Sequence, residues 1–222
     1  MKTRCAAQQT RGMTLVEVLV IIFVIAVAAA IFLPALAAAK RKHSRIDCVN
    51  CLKEIGLAFR VWEGDNDDKF PMEIAATNAD AMKLITNGNA YVFWQMMSNE
   101  LALPTILHCP EDTEHPEATN NFSTGFSDAN ISYFFNLDGN EAYPQMILTG
   151  DDNLAVNGVR VPPGILNLSK NSFVTWTKER HNGAGNIGVA DGSVQQVTSP
   201  GFNSALADST ATNQPAIRFV IP

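Results

Sequence analysis

The sequence predicts an α+β protein in which a long N-terminal transmembrane α-helix packs on a C-terminal antiparallel β-sheet head. Two observations support this prediction. Residues Val18–Ala39 form an apolar run of 22 residues without a charged side chain. The residues beyond position 64 instead contain short β-branched and aromatic runs separated by Gly, Pro, Asn and Asp, which is typical of strands joined by turns.

The apolar run is long enough to cross a membrane. A helix rises about 1.5 Å per residue, so the run reaches about 33 Å, against a hydrocarbon core about 30 Å thick. The preceding residues 1–12 carry Lys2, Arg4 and Arg11 but no acid, and the basic cluster Lys40–Arg45 follows the run. Because both flanks are positive, the positive-inside rule does not decide the orientation.

Two ordinary membrane-targeting segments are the alternatives. Ala37–Ala39 resembles the small-residue site after which a secretory signal is cut, although such signals have a shorter apolar core. An uncleaved signal anchor would contain a similar run. Neither explains Glu17, a single carboxylate at the start of the run, five residues after Gly12. An acid near the bilayer centre costs about 2.5–3.5 kcal/mol, and less near its edge, so Glu17 is a functional hypothesis.

Residues Arg11–Glu17 resemble the corresponding segment of type IV prepilins and type II secretion pseudopilins. A short basic leader ends at Gly12, and Met13 opens the Met-Thr-Leu-Val-Glu segment. The resemblance implies cleavage between Gly12 and Met13 by a prepilin peptidase, followed by N-methylation of Met13. It also implies that Glu17 contacts the N-terminus of an adjacent subunit, and that Pro34 kinks the helix. Met13 replaces the family's usual phenylalanine.

The resemblance also implies a location and a set of partners. The helix would cross the bacterial inner membrane once, with the leader in the cytoplasm and the head periplasmic or extracellular, reaching a filament or the cell surface after assembly. The expected partners are the membrane, the prepilin peptidase, a pilus or secretion assembly platform, and other pilins in a homo- or hetero-filament. Two alternatives are a minor pseudopilin that primes the filament or binds cargo, and a membrane-tethered periplasmic enzyme or binding module.

We expect a leader peptide at 1–12, a helix at 13–63 with its membrane part at 13–39, and a globular head at 64–222. Apolar residues in the second half of the helix recur at three- and four-residue spacing, so this half should pack on the head. The formal net charge is −6, and −9 without the three leader cations. An acidic head argues against nucleic-acid binding, which requires clustered Lys and Arg.

The pattern of the head predicts two helices and several short strands. The helices are expected at 80–85 and 90–101, and the strands at 105–109, 131–135, 145–149 and 172–177. A hairpin of residues 187–190 and 193–197 is expected around an Asp-Gly turn. The polar stretch 111–125 is predicted to be a loop. The tail, 198–222, is rich in Ala, Ser, Thr and Asn and is predicted to end in an edge strand at 217–221.

Two head motifs resemble those of a subfamily of bacterial pilin-like proteins. Cys109-Pro stands before an acidic pair, and His181 is followed after nine residues by Asp191-Gly192. The resemblance gives the His-x9-Asp-Gly motif no defined role. The residues themselves predict a type I′ turn at Asp191-Gly192 and a loop position for His181, bonded to the backbone of its turn. A metal or binding role for His181 and Asp191 is the alternative.

Three cysteines follow the leader, at Cys48, Cys51 and Cys109. Cys48 and Cys51 are about one helical turn apart, so either could form a disulfide with Cys109 in an extracytoplasmic head. Three buried thiols are the alternative. A zinc site that adds His108 or His43 lacks the second matching pair of ligands that structural zinc sites use, so no metal site is predicted.

Calcium also has candidate ligands, at Asp65–Asp68 and Asp151–Asn153. Neither segment fits the EF-hand pattern, so we expect solvated acidic turns and no cofactor. Gly183–Gly188 matches Gly-x-Gly-x-x-Gly, but a hairpin follows it where a dinucleotide site needs a helix. We expect these glycines in a loop with positive φ angles.

Overall fold

The structure, a computed structural model, describes residues 13–115, 119–210 and 216–222, apart from the side chains of residues 37, 38, 41 and 42. The expected leader at 1–12, with Gly12, therefore lies outside the described residues. The chain forms two compact units, Met1–Lys42 and His43–Pro222.

The first element is helix α1, Leu15–Asp65, which continues through Pro34 without a break. A bend at Pro34 stays a prediction. Five shorter helices follow in the described part of the second unit: α2 Pro71–Thr77, α3 Ala79–Thr86, α4 Tyr91–Met96, α5 Ser98–Leu101 and α6 Ser199–Thr210. The helix predicted at 80–85 is confirmed, and the one predicted at 90–101 is divided into α4 and α5 by Met97.

The strands form two antiparallel sheets. Nine strands lie in the described residues: β1 Tyr133–Asn136, β2 Ile147–Asp151, β3 Leu154–Val156, β4 Val159–Arg160, β5 Gly164–Ser169, β6 Val174–Trp176, β7 Ala184–Val189, β8 Val194–Thr198 and β9 Ala216–Ile221. The main sheet has the order β5-β9-β1-β2-β7-β8, and the smaller sheet has the order β4-β3-β6. This arrangement confirms the predicted α+β class and its antiparallel, pilin-like layout.

The central strands of the main sheet are buried on both faces. Along β1, Tyr133 and Phe135 join a cluster with Leu52 and Phe59 of α1, whereas Phe134 joins a second cluster with Phe202 of α6. Because both faces are covered, the central strands β1, β2 and β7 are buried at every position. The periodic apolar residues of α1 after position 47 therefore pack on the head, as predicted.

Two strand predictions are wrong. Residues 105–109 are not a strand, because Pro104–Leu107 form a 3₁₀ helix. Proline fixes φ near the helical value and lacks the N–H that a strand would use. The C-terminal strand is not at an edge, because β9 pairs with β5 on one side and β1 on the other.

The tail contains helix α6, an element that was not predicted from the sequence. Its sequence begins Ser199-Pro200, and proline is favoured in the first turn of a helix because the N–H it lacks has no helical partner there. Phe202 and Leu206 lie one turn apart and are both buried. This spacing and the proline were signals that the small polar residues of the tail obscured.

The hairpin of β7 and β8 is confirmed, but its turn is not type I′. The N–H of Gly192 donates to the carbonyl of Val189 at 2.9 Å, and the N–H of Val189 donates to the carbonyl of Ser193 at 3.0 Å. Gly192 has a positive φ angle of +87°, whereas Asp191 does not have a positive φ angle, which a type I′ turn would require. This is the three-residue hairpin loop, in which a β-turn is followed by a left-handed glycine.

The expectation of positive φ for the glycines of 183–188 holds only for Gly183, at +76°. Gly185 and Gly188 lie within β7. A Cβ atom at Gly185 would lie 2.6 Å from the ring of Trp176. The requirement at this position is therefore close packing rather than a left-handed backbone.

Candidate functional site

The apolar N-terminal segment is an exposed helix. Leu15–Leu36 is the one helix of the described residues that is long and apolar enough to cross a membrane. Every side chain from Met13 to Val27 is exposed. A continuous apolar surface of this size needs lipid or other apolar helices to cover it, so the segment fits a membrane-anchored protein.

Glu17 closes a capping box at the start of α1. The backbone N–H and the hydroxyl of Thr14 donate to Oε2 of Glu17 at 2.8 and 2.9 Å, and the N–H of Glu17 donates to Oγ1 of Thr14 at 3.3 Å. This reciprocal arrangement satisfies N–H groups that the first turn leaves free. The Thr-x-x-Glu spacing is a sequence signal for such a cap, and the interpretation of Glu17 as an assembly residue had overlooked it.

The head site begins at the cysteines. The structure pairs Cys48 of α1 with Cys109, which follows the 3₁₀ helix, with their Cα atoms 5.4 Å apart. Cys51 is a free, half-buried thiol one turn further along α1. Burial raises the pKa of Cys51, more than the hydrogen bond with Tyr133 lowers it.

His181 is buried beside this disulfide. Its Nε2 lies 3.6 Å from Sγ of Cys109 and 3.5 Å from Oδ2 of Asp151, and its Nδ1 lies 2.9 Å from Oε2 of Glu111. Its backbone N–H also donates to Oε2 of Glu111 at 3.1 Å. Burial lowers the pKa of His181, more than the charge of Glu111 raises it. The predicted loop residue bonded to its own turn is thus a buried residue that contacts two distant segments.

The predicted solvated turn at Asp151–Asn153 is wrong, because all three side chains are buried. Oδ2 of Asp151 accepts hydrogen bonds from the backbone and side-chain nitrogens of Asn186 at 2.7 and 2.9 Å. Its Oδ1 is buried without a hydrogen-bond partner. Burial raises the pKa of Asp151 to about 7, and the charge of Arg180 only partly opposes this shift.

Arg180 is the centre of a buried ionic network that was not predicted from the sequence. Its guanidinium lies 3.1 Å from Oδ2 of Asp112, is paired with Oδ1 of Asp152, and donates to the carbonyl of Ser132 at 3.2 Å. His115 joins the network through Nδ1, 2.6 Å from Oδ2 of Asp112. A buried arginine between two carboxylates keeps all three charged groups paired, which their removal from water requires.

The charges of this network shift its pKa values in opposite directions. Burial alone would raise the pKa of Asp112, but the hydrogen bond from His115 and the charge of Arg180 lower it to about 2. Burial alone would lower the pKa of His115, but the hydrogen bond to Asp112 and the charge of Asp152 raise it. The pair is therefore ionised at mildly acidic pH.

The histidine and the Asp-Gly pair of the His-x9-Asp-Gly motif lie in different environments. His181 lies in the buried cluster, whereas the exposed Asp191 accepts a hydrogen bond from the N–H of Ser193 at 2.8 Å and so supports the hairpin turn. The segment that meets His181 is instead the Cys109-Pro-Glu-Asp motif, through Cys109 and Glu111.

Two groups of described residues have donor atoms within 4.8 Å of one another, as a metal ion would require. One is Cys48, Cys109 and His181, and the other is Asp112, His115 and Asp152. The second group already has Arg180 between its two aspartates.

The remaining candidate ligands lie elsewhere. His43 faces Asp47 on the exposed surface of α1, at 2.8 Å. Asp65, Asp67 and Asp68 are exposed at the end of α1, where Asp67 and Asp68 have φ angles of +54° and +57°. These three side chains form the solvated acidic turn that the sequence predicted there.

A known family model matches the N-terminal part of the chain. Residues 8–33 match the family model described as Prokaryotic N-terminal methylation motif. The match includes Glu17 and most of the apolar helix, and it supports a prepilin-type protein. No curated protein and no solved structure matches the chain.

Proposed function

We propose that this chain is a structural subunit of a filament of the type IV pilus or type II secretion pseudopilus kind. A prepilin peptidase cleaves it after Gly12, Met13 is N-methylated, and Glu17 directs assembly with other pilins. The observation that carries the proposal is the methylation-motif match at residues 8–33, which coincides with an apolar helix exposed on all sides.

The exposed helix supports assembly because its apolar surface has two favourable environments. Lipid covers Leu15–Leu36 before assembly, and the packed helices of a filament core cover it afterwards. Transfer between two apolar environments costs little free energy, so a subunit can leave the membrane without exposing this surface to water.

In this proposal, Glu17 selects and aligns the incoming subunit. Cleavage after Gly12 gives the mature chain a positive α-amine at Met13, next to Thr14. In a medium of low dielectric constant, a carboxylate attracts such an amine strongly. The capping box holds the Glu17 carboxylate at the helix start, where the helix dipole favours negative charge. An incoming amine then binds a carboxylate that is already positioned.

The first experiment measures the N-terminus and the intact mass of the protein extracted from membranes. The proposal predicts a chain that begins at N-methylated Met13. A chain that begins at Met1, or one that begins near Lys40 after signal cleavage, would contradict processing at Gly12.

A second experiment separates the cap from the charge of Glu17. Glu17→Gln keeps an N3 residue that can complete a capping box but removes the charge, whereas Thr14→Ala removes the cap and keeps the charge. The proposal predicts that Glu17→Gln abolishes filaments in sheared-cell fractions and that Thr14→Ala still forms them. Normal filaments from Glu17→Gln, together with loss of filaments in Thr14→Ala, would show that Glu17 acts only as a cap.

A further inference from the structure

The disulfide and His181 form a group of three soft and borderline donor atoms inside the head. Sγ of Cys48, Sγ of Cys109 and a ring nitrogen of His181 lie within 4.8 Å of one another, and all three residues are buried. Thiolate sulfur and imidazole nitrogen are the ligands that Zn²⁺ uses in structural sites. The disulfide bond holds the two sulfur atoms together, and Nε2 of His181 lies 3.6 Å from Sγ of Cys109.

The surroundings of His181 match those of a metal-bound imidazole. A histidine ligand commonly directs its second ring nitrogen at a carboxylate, which fixes the orientation of the ring. Here Nδ1 of His181 lies within ion-pair distance of Oε2 of Glu111, at 2.9 Å but not in hydrogen-bond geometry, and Nε2 faces Cys109. A carboxylate in this position is not needed to pack a disulfide.

Asp151 provides an independent observation. Its side chain is fully buried, its Oδ2 lies 3.5 Å from Nε2 of His181, and its Oδ1 has no hydrogen-bond partner. The oxygen beside His181, Oδ2, already accepts hydrogen bonds from Asn186, whereas an unsatisfied buried oxygen such as Oδ1 costs free energy and would gain from a partner.

We propose that the reduced form of this protein binds one zinc ion through Cys48, Cys109 and His181, and that formation of the disulfide excludes the ion. A dithiol reductant transfers two electrons and two protons to the Cys48–Cys109 bond, giving two thiols and the oxidised reductant. Zinc then replaces the two thiol protons, which pass to solvent. The two thiolates balance the charge of the ion, so the buried site gains no net charge.

The test uses the full-length chain in detergent, in a Cys5→Ser background so that the leader thiol does not contribute. Oxidised protein and protein reduced with a phosphine are dialysed without oxygen against zinc, and bound zinc is measured by elemental mass spectrometry. We expect one zinc per reduced chain and none per oxidised chain. Replacement of zinc by cobalt should give a thiolate-to-cobalt charge-transfer band in the reduced chain only.

Two variants make the result specific. Cys51→Ser should keep one zinc per reduced chain, because Cys51 is not in the site. Glu111→Gln keeps all three ligands but weakens the orientation of His181, so zinc affinity should fall 10- to 100-fold. The proposal is wrong if the reduced chain takes up no zinc, if the oxidised chain takes up as much, or if binding requires Cys51 and is unaffected by Glu111→Gln.

Discussion

Nε2 of His181 lies 3.6 Å from Sγ of Cys109, although 72 positions separate the two residues in the chain. Through this contact the turn before β7 meets the segment after the 3₁₀ helix, which the disulfide ties to α1. The head therefore has a polar interior at one point, where the Arg180 network also lies. Two properties of this region can be tested by mutation: the disulfide crosslink and the buried charges.

Loss of the disulfide should destabilise the head strongly. Cys48 and Cys109 are 61 positions apart, and a crosslink that closes a loop of this length restricts the unfolded chain considerably. Cys48→Ser should lower the free energy of unfolding by about 2–5 kcal/mol, measured by urea denaturation of the full chain in detergent. Cys51→Ser is the matched control on the same helix and should cost about 1 kcal/mol at most. Equal effects of the two variants would contradict the pairing.

Removal of Arg180 should be far more damaging than removal of an exposed arginine. Arg180→Met removes the closest charged partner of the buried Asp152 and leaves Asp112 with His115 as its remaining ion pair, which should cost about 3–5 kcal/mol of unfolding free energy. Arg160 is the control, because its pair with Glu114 is exposed to solvent. Arg160→Met should cost about 1 kcal/mol or less in the same denaturation experiment. Similar losses in both variants would show that burial does not distinguish the two pairs.

The outline of the fold could be predicted from local signals, and the polar interior could not. The Asp-Gly pair after β7 and the apolar periodicity of α1 are properties of neighbouring residues, so the hairpin and the long helix were predicted. The position of β9 depends on its pairing with β5, which lies about 50 residues earlier and was not recognised as a strand. A strand that is central by pairing cannot be distinguished from an edge strand by its own sequence.

The site illustrates the same limit. The residue types of Cys48, Cys109 and His181 made them candidates for a site. Their contacts, however, join segments that are distant in the chain. Asp151 was predicted to be solvated because acidic residues are rarely buried without a partner. Its burial becomes understandable only when the side chain of Asn186 and the charge of Arg180 are placed beside it.

The His115–Asp112 pair should make stability depend on pH in a defined direction. The pKa of His115 is raised in the folded protein, so its contribution is complete below the unfolded value of about 6.5 and is lost as pH rises through the folded value. The difference in unfolding free energy between wild type and His115→Gln should therefore be largest near pH 5 and shrink towards pH 9.

The control for this pH dependence is His43→Gln. His43 pairs with Asp47 on an exposed helix surface, and such a pair contributes about 0.3–0.5 kcal/mol. The measurement is denaturation of both variants and wild type at a series of pH values. A difference for His115→Gln that grows with rising pH would reverse the assigned sign and contradict the ion pair with Asp112.

Gly185 should tolerate no side chain, in contrast to Gly56. A Cβ at Gly185 would lie 2.6 Å from three ring atoms of Trp176, which is itself buried and packs against the ring of Phe202, so the ring cannot move without repacking. Gly185→Ala should lower the free energy of unfolding by about 1–3 kcal/mol. Gly56 lies inside α1 with no atom within 4 Å of its Cβ position, so Gly56→Ala should raise stability by about 0.5–1 kcal/mol. Thermal or urea unfolding of both variants measures the contrast, and a neutral Gly185→Ala would mean that Trp176 does not pack against β7.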